Sequence, residues 1–256
     1  MADDPKLFYD RLAANYHLIF EDWQASIDRQ ASILAPILER ECGGASSTRI
    51  LDCACGIGTQ SLGLASHGFS VTGCDFSSAS IERLRSESTR RGLSIPSFVA
   101  DMRDLSSVPG RDFDAVICMD NALPHLEDDE QLLQALLQIR GKLSYNKPLV
   151  ASLRDYDRLL RERPVVQEPV FYRGNGRRRI VHQIWDWIDD RRYSFHLYIT
   201  CETEQGWENQ HYVSYYRALL RHELASLLQT AGFSNTRWLF PAESGFYQPI
   251  VLATAA

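Results

Sequence analysis

Apolar positions recur at helical spacing from Lys6 to about Glu41, through Leu12, Tyr16 and Ile19 and then Ile27, Leu34, Ile37 and Leu38. Two helices are therefore predicted ahead of any strand. Gly43, Gly44 and the Ser/Thr run after them read as a loop. From Arg49 short apolar runs alternate with amphipathic stretches. Strands are predicted at residues 50–54, 70–75, 97–100, 114–119 and 149–153, and helices at 59–67, 77–91 and 129–143, with Ser77 and Asp129 as N-caps. That rhythm means a parallel sheet covered on both faces. After Pro164 three β-rich runs follow one another at 165–172, 178–187 and 193–201, broken by hairpin signals at Gly174-Asn175-Gly176 and Asp189-Asp190. A fourth extended run at 210–216 leads into a helix at 222–230 closed by Gly232, with last strands at 235–240 and 246–254. The expected organisation is an α/β core of residues 46–160 and 218–256, an N-terminal helical lid at 1–45 and an antiparallel cap at 161–217, all in one structural unit.

A length of 256 residues lies near the upper end for a single core, which suits one enlarged domain better than two independent ones. With 27 basic against 33 acidic residues the net charge is −6, which opposes broad adhesion to phosphate backbones or anionic lipid. A nucleic-acid substrate is thus disfavoured. No apolar stretch approaches the roughly 20 residues that span a bilayer, and the opening Met1-Ala2-Asp3-Asp4 has no secretory pattern, so a cytoplasmic protein is expected. Cys42, Cys53, Cys55, Cys74, Cys118 and Cys201 contain no CxxC pair, so six reduced thiols and no metal centre are expected. A homo-oligomer is compatible with the sequence.

The most informative stretch runs from Ile50 to Thr59, an apolar strand followed by Asp52-Cys53-Ala54-Cys55-Gly56-Ile57-Gly58-Thr59 opening a helix. Gly56 and Gly58 would let backbone amides approach a ligand. A dinucleotide site would want a third glycine, but position 61 is Ser, and the acid Asp52 suits a ligand carrying positive charge. The second strand ends in Asp75, where a carboxylate can accept both hydroxyls of a ribose. The third ends in Ala100-Asp101-Met102, placing a carboxylate and an apolar side chain where an adenine would lie.

This D-x-A-x-G-x-G-T loop, with Asp75 and Ala-Asp-Met at the next strand ends, resembles the class I S-adenosylmethionine-dependent methyltransferases. Ala54 stands where that family usually has its first glycine. A nearer resemblance, to the glycine and sarcosine N-methyltransferases, is carried by Asp114-Ala115-Val116-Ile117-Cys118-Met119-Asp120-Asn121, Pro124-His125-Leu126, Arg154-Asp155-Tyr156-Asp157, Ser214-Tyr215-Tyr216 and Tyr247-Gln248-Pro249. Phe8-Tyr9-Asp10, Tyr16-His17-Leu18-Ile19-Phe20 and Asp22-Trp23 extend it to the N-terminus. It implies a Rossmann-like methyltransferase sheet, S-adenosylmethionine as cofactor and a small-molecule amine substrate. It further implies that Tyr9 and Arg29 meet the methionine end of the cofactor, with Trp23 a looser match. Ala54, Phe76, Met119 and His125 join the implied cofactor contacts.

Methyl transfer to an amine needs little acid or base; the protein must hold the nucleophile in line with the sulfonium and exclude water. Arg154, ending the fifth strand at the ligand edge of the sheet, can fork a carboxylate, a role the resemblance also gives it. Pairing with Asp155 or Asp157 is the competing reading. Asn121 follows the fourth strand at the same edge. Tyr216 and Tyr247 are candidates for the amine pocket, and only one of Tyr215 and Tyr216 can face it. Trp185 and Trp187 read as packing, and Arg177-Arg178-Arg179 as a solvated hairpin flank. Asp120 is a departure, since the family more usually has glycine or a small residue before the asparagine. The expected function is N-methylation of an amino acid or another carboxylate-bearing amine. A natural-product O- or N-methyltransferase with an apolar acceptor, and a non-catalytic cofactor-binding protein, are the alternatives.

Overall fold

The computed structural model describes residues 4–46, 48–173 and 178–256. Its N-terminal helices are α1 (Pro5–Leu12) and α2 (Trp23–Cys42). Asp4 and Asp22 cap them by accepting from the N–H groups of Lys6 and Ala25. Strands β1 (Arg49–Asp52), β2 (Ser70–Asp75), β3 (Ser97–Val99), β4 (Ala115–Cys118) and β5 (Pro148–Ser152) alternate with helices α3 (Thr59–Ser66), α4 (Ser78–Arg90) and α5 (Asp129–Lys142). All four residues of β4 and all five of β5 are buried, because helices cover both faces of a central parallel strand.

Ser77 caps α4 as the sequence predicts. The cap of α5 is Asp128, which accepts from Gln131 N–H; Asp129 instead sits in the first turn and pairs with Arg217 at 2.6 Å. After β5 comes α6 (Tyr156–Glu162), a helix too short to leave a periodic signal. Next are the four cap strands β6 (Val166–Tyr172), β7 (Arg179–Trp187), β8 (Arg192–Thr203) and β9 (Gly206–Arg217), then α7 (Arg221–Thr230), β10 (Phe233–Leu239), α8 (Pro241–Ser244) and β11 (Ile250–Ala255). The Gly174-Asn175-Gly176 hairpin signal falls outside the described residues. The Asp189-Asp190 turn does form, with Asp189 accepting from the backbone N–H groups of Arg191 and Arg192 at 2.8 Å.

The seven-stranded sheet has the order β10-β11-β5-β4-β1-β2-β3, and β11 runs antiparallel to both of its neighbours. The chain order reverses at β1, between β4 and β2, which opens a crevice at the carboxyl ends of those strands. Strands β6 to β9 form a separate antiparallel sheet. Strand β8 alternates buried and half-buried positions, and its inner Tyr193, Phe195 and Leu197 join the core cluster that holds Phe8 and Leu12 of α1. The cap is therefore fused to the N-terminal helices.

A polar tie adds to this. Arg179 donates to the carbonyls of Leu18 and Glu21 at 2.8 Å and also to that of Phe20. It is not the solvated flank the sequence suggests, whereas Arg178, paired with Glu202 and lying over Trp207, is. All six cysteines are free thiols. Among the described residues no helix is long and apolar enough to cross a membrane, and no cluster of ligands could hold a metal.

Candidate active site

Two cavities meet at the carboxyl edge of the sheet, both lined by Tyr9, Tyr16 and Asp120. The first, of about 420 Å³, lies over the glycine loop. Gly56 borders it with φ +51, and a β-carbon there would meet nothing within 4 Å. Ala54 lines the same wall. Behind them stands Asp75, whose oxygens accept from Gly56 N–H and Ser77 N–H, each at 2.9 Å. Burial pushes its carboxyl up to about 6, with the two N–H donors opposing. Each oxygen keeps a further acceptor site for a ligand hydroxyl.

Phe76, Met102 and Met119 supply apolar wall. Asp101 is forked by Arg103, with Nη2 to Oδ2 at 2.6 Å; burial alone would raise its carboxyl, but that arginine outweighs it and holds it low. His125 also borders this cavity. Its Nδ1 lies 3.1 Å from the Tyr215 carbonyl, which can only accept, and burial lowers its pKa to about 3. The ring is thus neutral with its proton on Nδ1, and Nε2 accepts from the Tyr9 hydroxyl at 2.9 Å. Histidine here orients Tyr9 and packs at a tilt against Tyr216, ring centroids 4.1 Å apart; its only free lone pair is occupied.

A glycine-edged space of this size, a ribose-type carboxylate on β2, an apolar slot beside Asp101, and phenols with the half-buried Asp120 at the far end together fit S-adenosylmethionine. Asp75 would hold the ribose, Asp101, Met102 and Phe76 the adenine end, and Ala54, Gly56 and Tyr9 the methionine end.

The second cavity, of about 1110 Å³, opens between the cap sheet, the N-terminal helices and the ends of β4 and β5. Arg154 enters it from the end of β5. Its guanidinium lies 4.6 Å above Trp185, 5.1 Å from Phe195 and 5.0 Å from Tyr216, and Nη1 donates to the Tyr193 hydroxyl at 2.8 Å. Burial works against its charge, but the surrounding Tyr193, Tyr216 and Tyr156 hold its pKa above the ordinary arginine value. No carboxylate pairs with it among the described residues; Asp155 and Asp157 are both taken by Arg221, at 2.6 and 3.4 Å.

Asp120 and Asn121 follow β4 with φ of 57° and 67°, a left-handed pair that the acid and amide side chains tolerate. Their N–H groups are fastened to Ser152, on its Oγ at 2.8 Å and its carbonyl at 3.0 Å. Asn121 is a brace: Nδ2 donates to the Tyr156 hydroxyl at 2.9 Å and Oδ1 accepts from Arg154 N–H at 3.0 Å. Tyr216 lines the second cavity with its ring buried. Tyr247 is 54% exposed overall, yet its hydroxyl reaches inward to donate to Asp120 Oδ1.

Four expected cofactor residues stand elsewhere. Trp23 and Gly58 reach neither cavity. The Trp23 indole donates to Thr59 Oγ1 at 2.9 Å and packs α2 onto α3. Gly58, with φ +98, is the N-cap residue of α3, and a β-carbon there would come within 2.4 Å of Leu84. Asp52 lies behind the loop, accepting from Ser61 Oγ at 2.6 Å, with burial raising its carboxyl to about 7. Arg29 borders the second cavity, not the first. The sequence does not assign Tyr16, Gln60 and Trp185 to these cavities, which they line, nor Tyr193 to Arg154, which donates to its hydroxyl. Gln60 stands just inside the helix that follows the glycine loop and Tyr16 opens the Tyr16–Phe20 motif, so both lie at recognisable motifs; the cap residues are brought in by strand pairing.

The sheet order, the glycine loop and the carboxylates ending β2 and β3 define the fold of the class I S-adenosylmethionine-dependent methyltransferases. Residues 50–142 match the family described as a methyltransferase domain. An amino pentose methyltransferase from Micromonospora echinaspora, solved with S-adenosylmethionine bound, superposes with a TM-score of 0.73, covering 90% of this chain and 92% of that one at 20% identity. That likeness is one of fold. The glycine/sarcosine N-methyltransferase of Parasynechococcus marenigrum (strain WH8102) is 32% identical over 139 residues, 54% of this chain and 48% of the relative. That of Aphanothece halophytica is 25% identical over 174 residues, 68% of this chain and 64% of the relative. The chain thus spans about half to two-thirds of the length of these curated relatives.

Proposed function

We propose that the protein transfers the methyl group of S-adenosylmethionine to the amine of a small molecule that also carries a carboxylate, an amino acid in the manner of glycine or sarcosine. Arg154 carries this reading. A guanidinium in a cavity, without an anionic partner among the described residues, supports an anionic ligand as the missing member of the pair. The bound cofactor supplies an electrophilic methyl on a sulfonium. The protein's part is to grip the carboxylate through Arg154, held in plane by three rings and Tyr193, and so present the amine at about 3 Å from the methyl. Tyr9 and Tyr16 wall the junction of the cavities, with Tyr216 beside it in the second, and keep water from it.

A second reading, an acceptor with a bulky apolar or glycosidic part, is favoured by the size of the second cavity and its wall of Val181, Trp185, Phe195 and Leu197. Both are tested by a methyl-release screen over amino acids, simple amines, amino sugars and phenols. Amines bearing a carboxylate should be preferred. Arg154→Gln should raise their KM by about 100-fold, the loss of a forked charged contact, while S-adenosylhomocysteine affinity stays within about threefold. Equal turnover with and without the carboxylate refutes the amino-acid reading.

A further inference from the structure

Asp120 stands where the two cavities join and lines both. Its Oδ2 accepts from Gln60 Nε2 at 2.7 Å, on the cofactor side, and its Oδ1 from the Tyr247 hydroxyl, on the substrate side. Those donors are neutral, so the acid has no cationic partner among the described residues, and each oxygen keeps one acceptor site. Neighbouring groups do not neutralise it: Tyr16 and Tyr247 are phenols, Asp52 is a second acid, and Arg154, which shares the cavity, is engaged with Tyr193 and three rings. A half-buried acid with polar supports and no cation among the described residues, sharing a cavity with an arginine that has no anion among them, forms a two-ended site for a zwitterion.

Amino-acid amines are protonated near neutral pH, and an ammonium has no lone pair for the methyl. We infer that Asp120 holds the substrate ammonium at the junction of the cavities and takes its proton before transfer. This rests on the proposed N-methylation. The N–H bond breaks and the proton passes to an Asp120 oxygen; the freed nitrogen lone pair then forms the N–C bond as the C–S pair returns to sulfur, leaving a neutral thioether and a methylated ammonium. Asp120 yields its proton to water as products leave. Burial, which raises the carboxyl above its ordinary value against the pull of Tyr247 and Gln60, suits it to carry that proton transiently. The backbone can accept a change here, since asparagine and glycine both adopt a φ of 57°.

The experiment compares wild type, Asp120→Asn and Asp120→Gly on the best carboxylate-bearing amine from the screen, as kcat/KM from pH 6 to 10, with S-adenosylhomocysteine affinity by calorimetry. Asp120→Asn keeps the packing and both hydrogen-bond neighbours. It should lower kcat/KM at pH 7 by about 100-fold, within the range for a lost general base. The deficit should shrink by about tenfold per pH unit as solvent supplies neutral amine, with cofactor affinity within about threefold. Asp120→Gly should behave alike. A variant profile parallel to wild type overturns the inference, and so does a matching loss of S-adenosylhomocysteine affinity, which would place the cofactor's own ammonium on Asp120. If wild type methylates no amine at all, the proposed function fails and this role with it. An active wild type with indifferent variants removes only the role of Asp120.

Discussion

Replacing Asp75 by alanine separates cofactor binding from folding. The carboxylate is 7% exposed and accepts two backbone N–H groups, leaving one site on each oxygen for the two ribose hydroxyls. Hydrogen bonds to a charged acceptor contribute about 1.5 to 3 kcal/mol each. Their joint removal should therefore weaken S-adenosylhomocysteine binding by about 3 kcal/mol or more, on the order of 100-fold. Stability should move much less. The truncation orphans the N–H groups of Gly56 and Ser77, at about 1 to 3 kcal/mol each. It also removes a carboxylate whose pKa is pushed up to about 6, and whose ionisation at neutral pH opposes folding by roughly 3 kcal/mol. These offset one another.

The same carboxyl sets a pH dependence. Ribose hydroxyls favour the ionised form, so wild-type affinity should fall as pH drops below about 6, by up to tenfold per unit, and Asp75→Ala should lose that slope. Calorimetric titration from pH 5 to 7.5, beside thermal unfolding of the ligand-free proteins, checks both parts. Affinity within threefold of wild type, or a pH slope that survives the substitution, would refute the assignment of Asp75 to the ribose.

The glycine loop offers an opposed pair of tests. Gly58→Ala should cost about 1 to 3 kcal/mol of stability through its φ of +98 and the contact with Leu84, with cofactor affinity nearly unchanged in the folded protein. Gly56→Ala should cost only about 1 kcal/mol of stability, yet its methyl would project into the first cavity and cut affinity by at least about tenfold; the reverse pattern would show that the cofactor sits elsewhere. Asp52, pushed up to about 7 by burial, favours the fold fully below the unfolded value near 4 and loses that contribution as pH rises through 7. Denaturant unfolding of Asp52→Asn should accordingly remove up to about 3 kcal/mol of the wild-type decline between pH 5 and 8, and an unchanged decline would contradict it.

Much of this was legible in the chain. Strands β4 and β5 are short, mostly apolar runs because both faces of a parallel sheet must be apolar, and β2 spans 70–75, the bounds the sequence predicts. Glycines and acids at strand ends pointed to a nucleotide-sized, positively charged ligand, since those residue types at those places serve few other ends. Where a side chain aims was not legible. Asp52 and Asp75 are both acids ending strands, but one turns to Ser61 behind the loop and the other to the cavity. Gly56 and Gly58 look equivalent in sequence, yet only the first borders open space.

What the sequence by itself determined was the order of elements and the kind of ligand edge they make, because periodicity, capping and turn chemistry are local. What only the tertiary structure decided was the substrate end. Arg154, Tyr193 and Asp120 come together through strand pairings and packing between residues far apart in the chain, which local pattern does not encode. The cap residues Trp185 and Tyr193, which read as packing or not at all, become the cage of Arg154 when β7, β8 and β9 pair. Asp120, a departure from a family pattern in sequence, becomes an acid without a cation only when Gln60 and Tyr247 are folded against it.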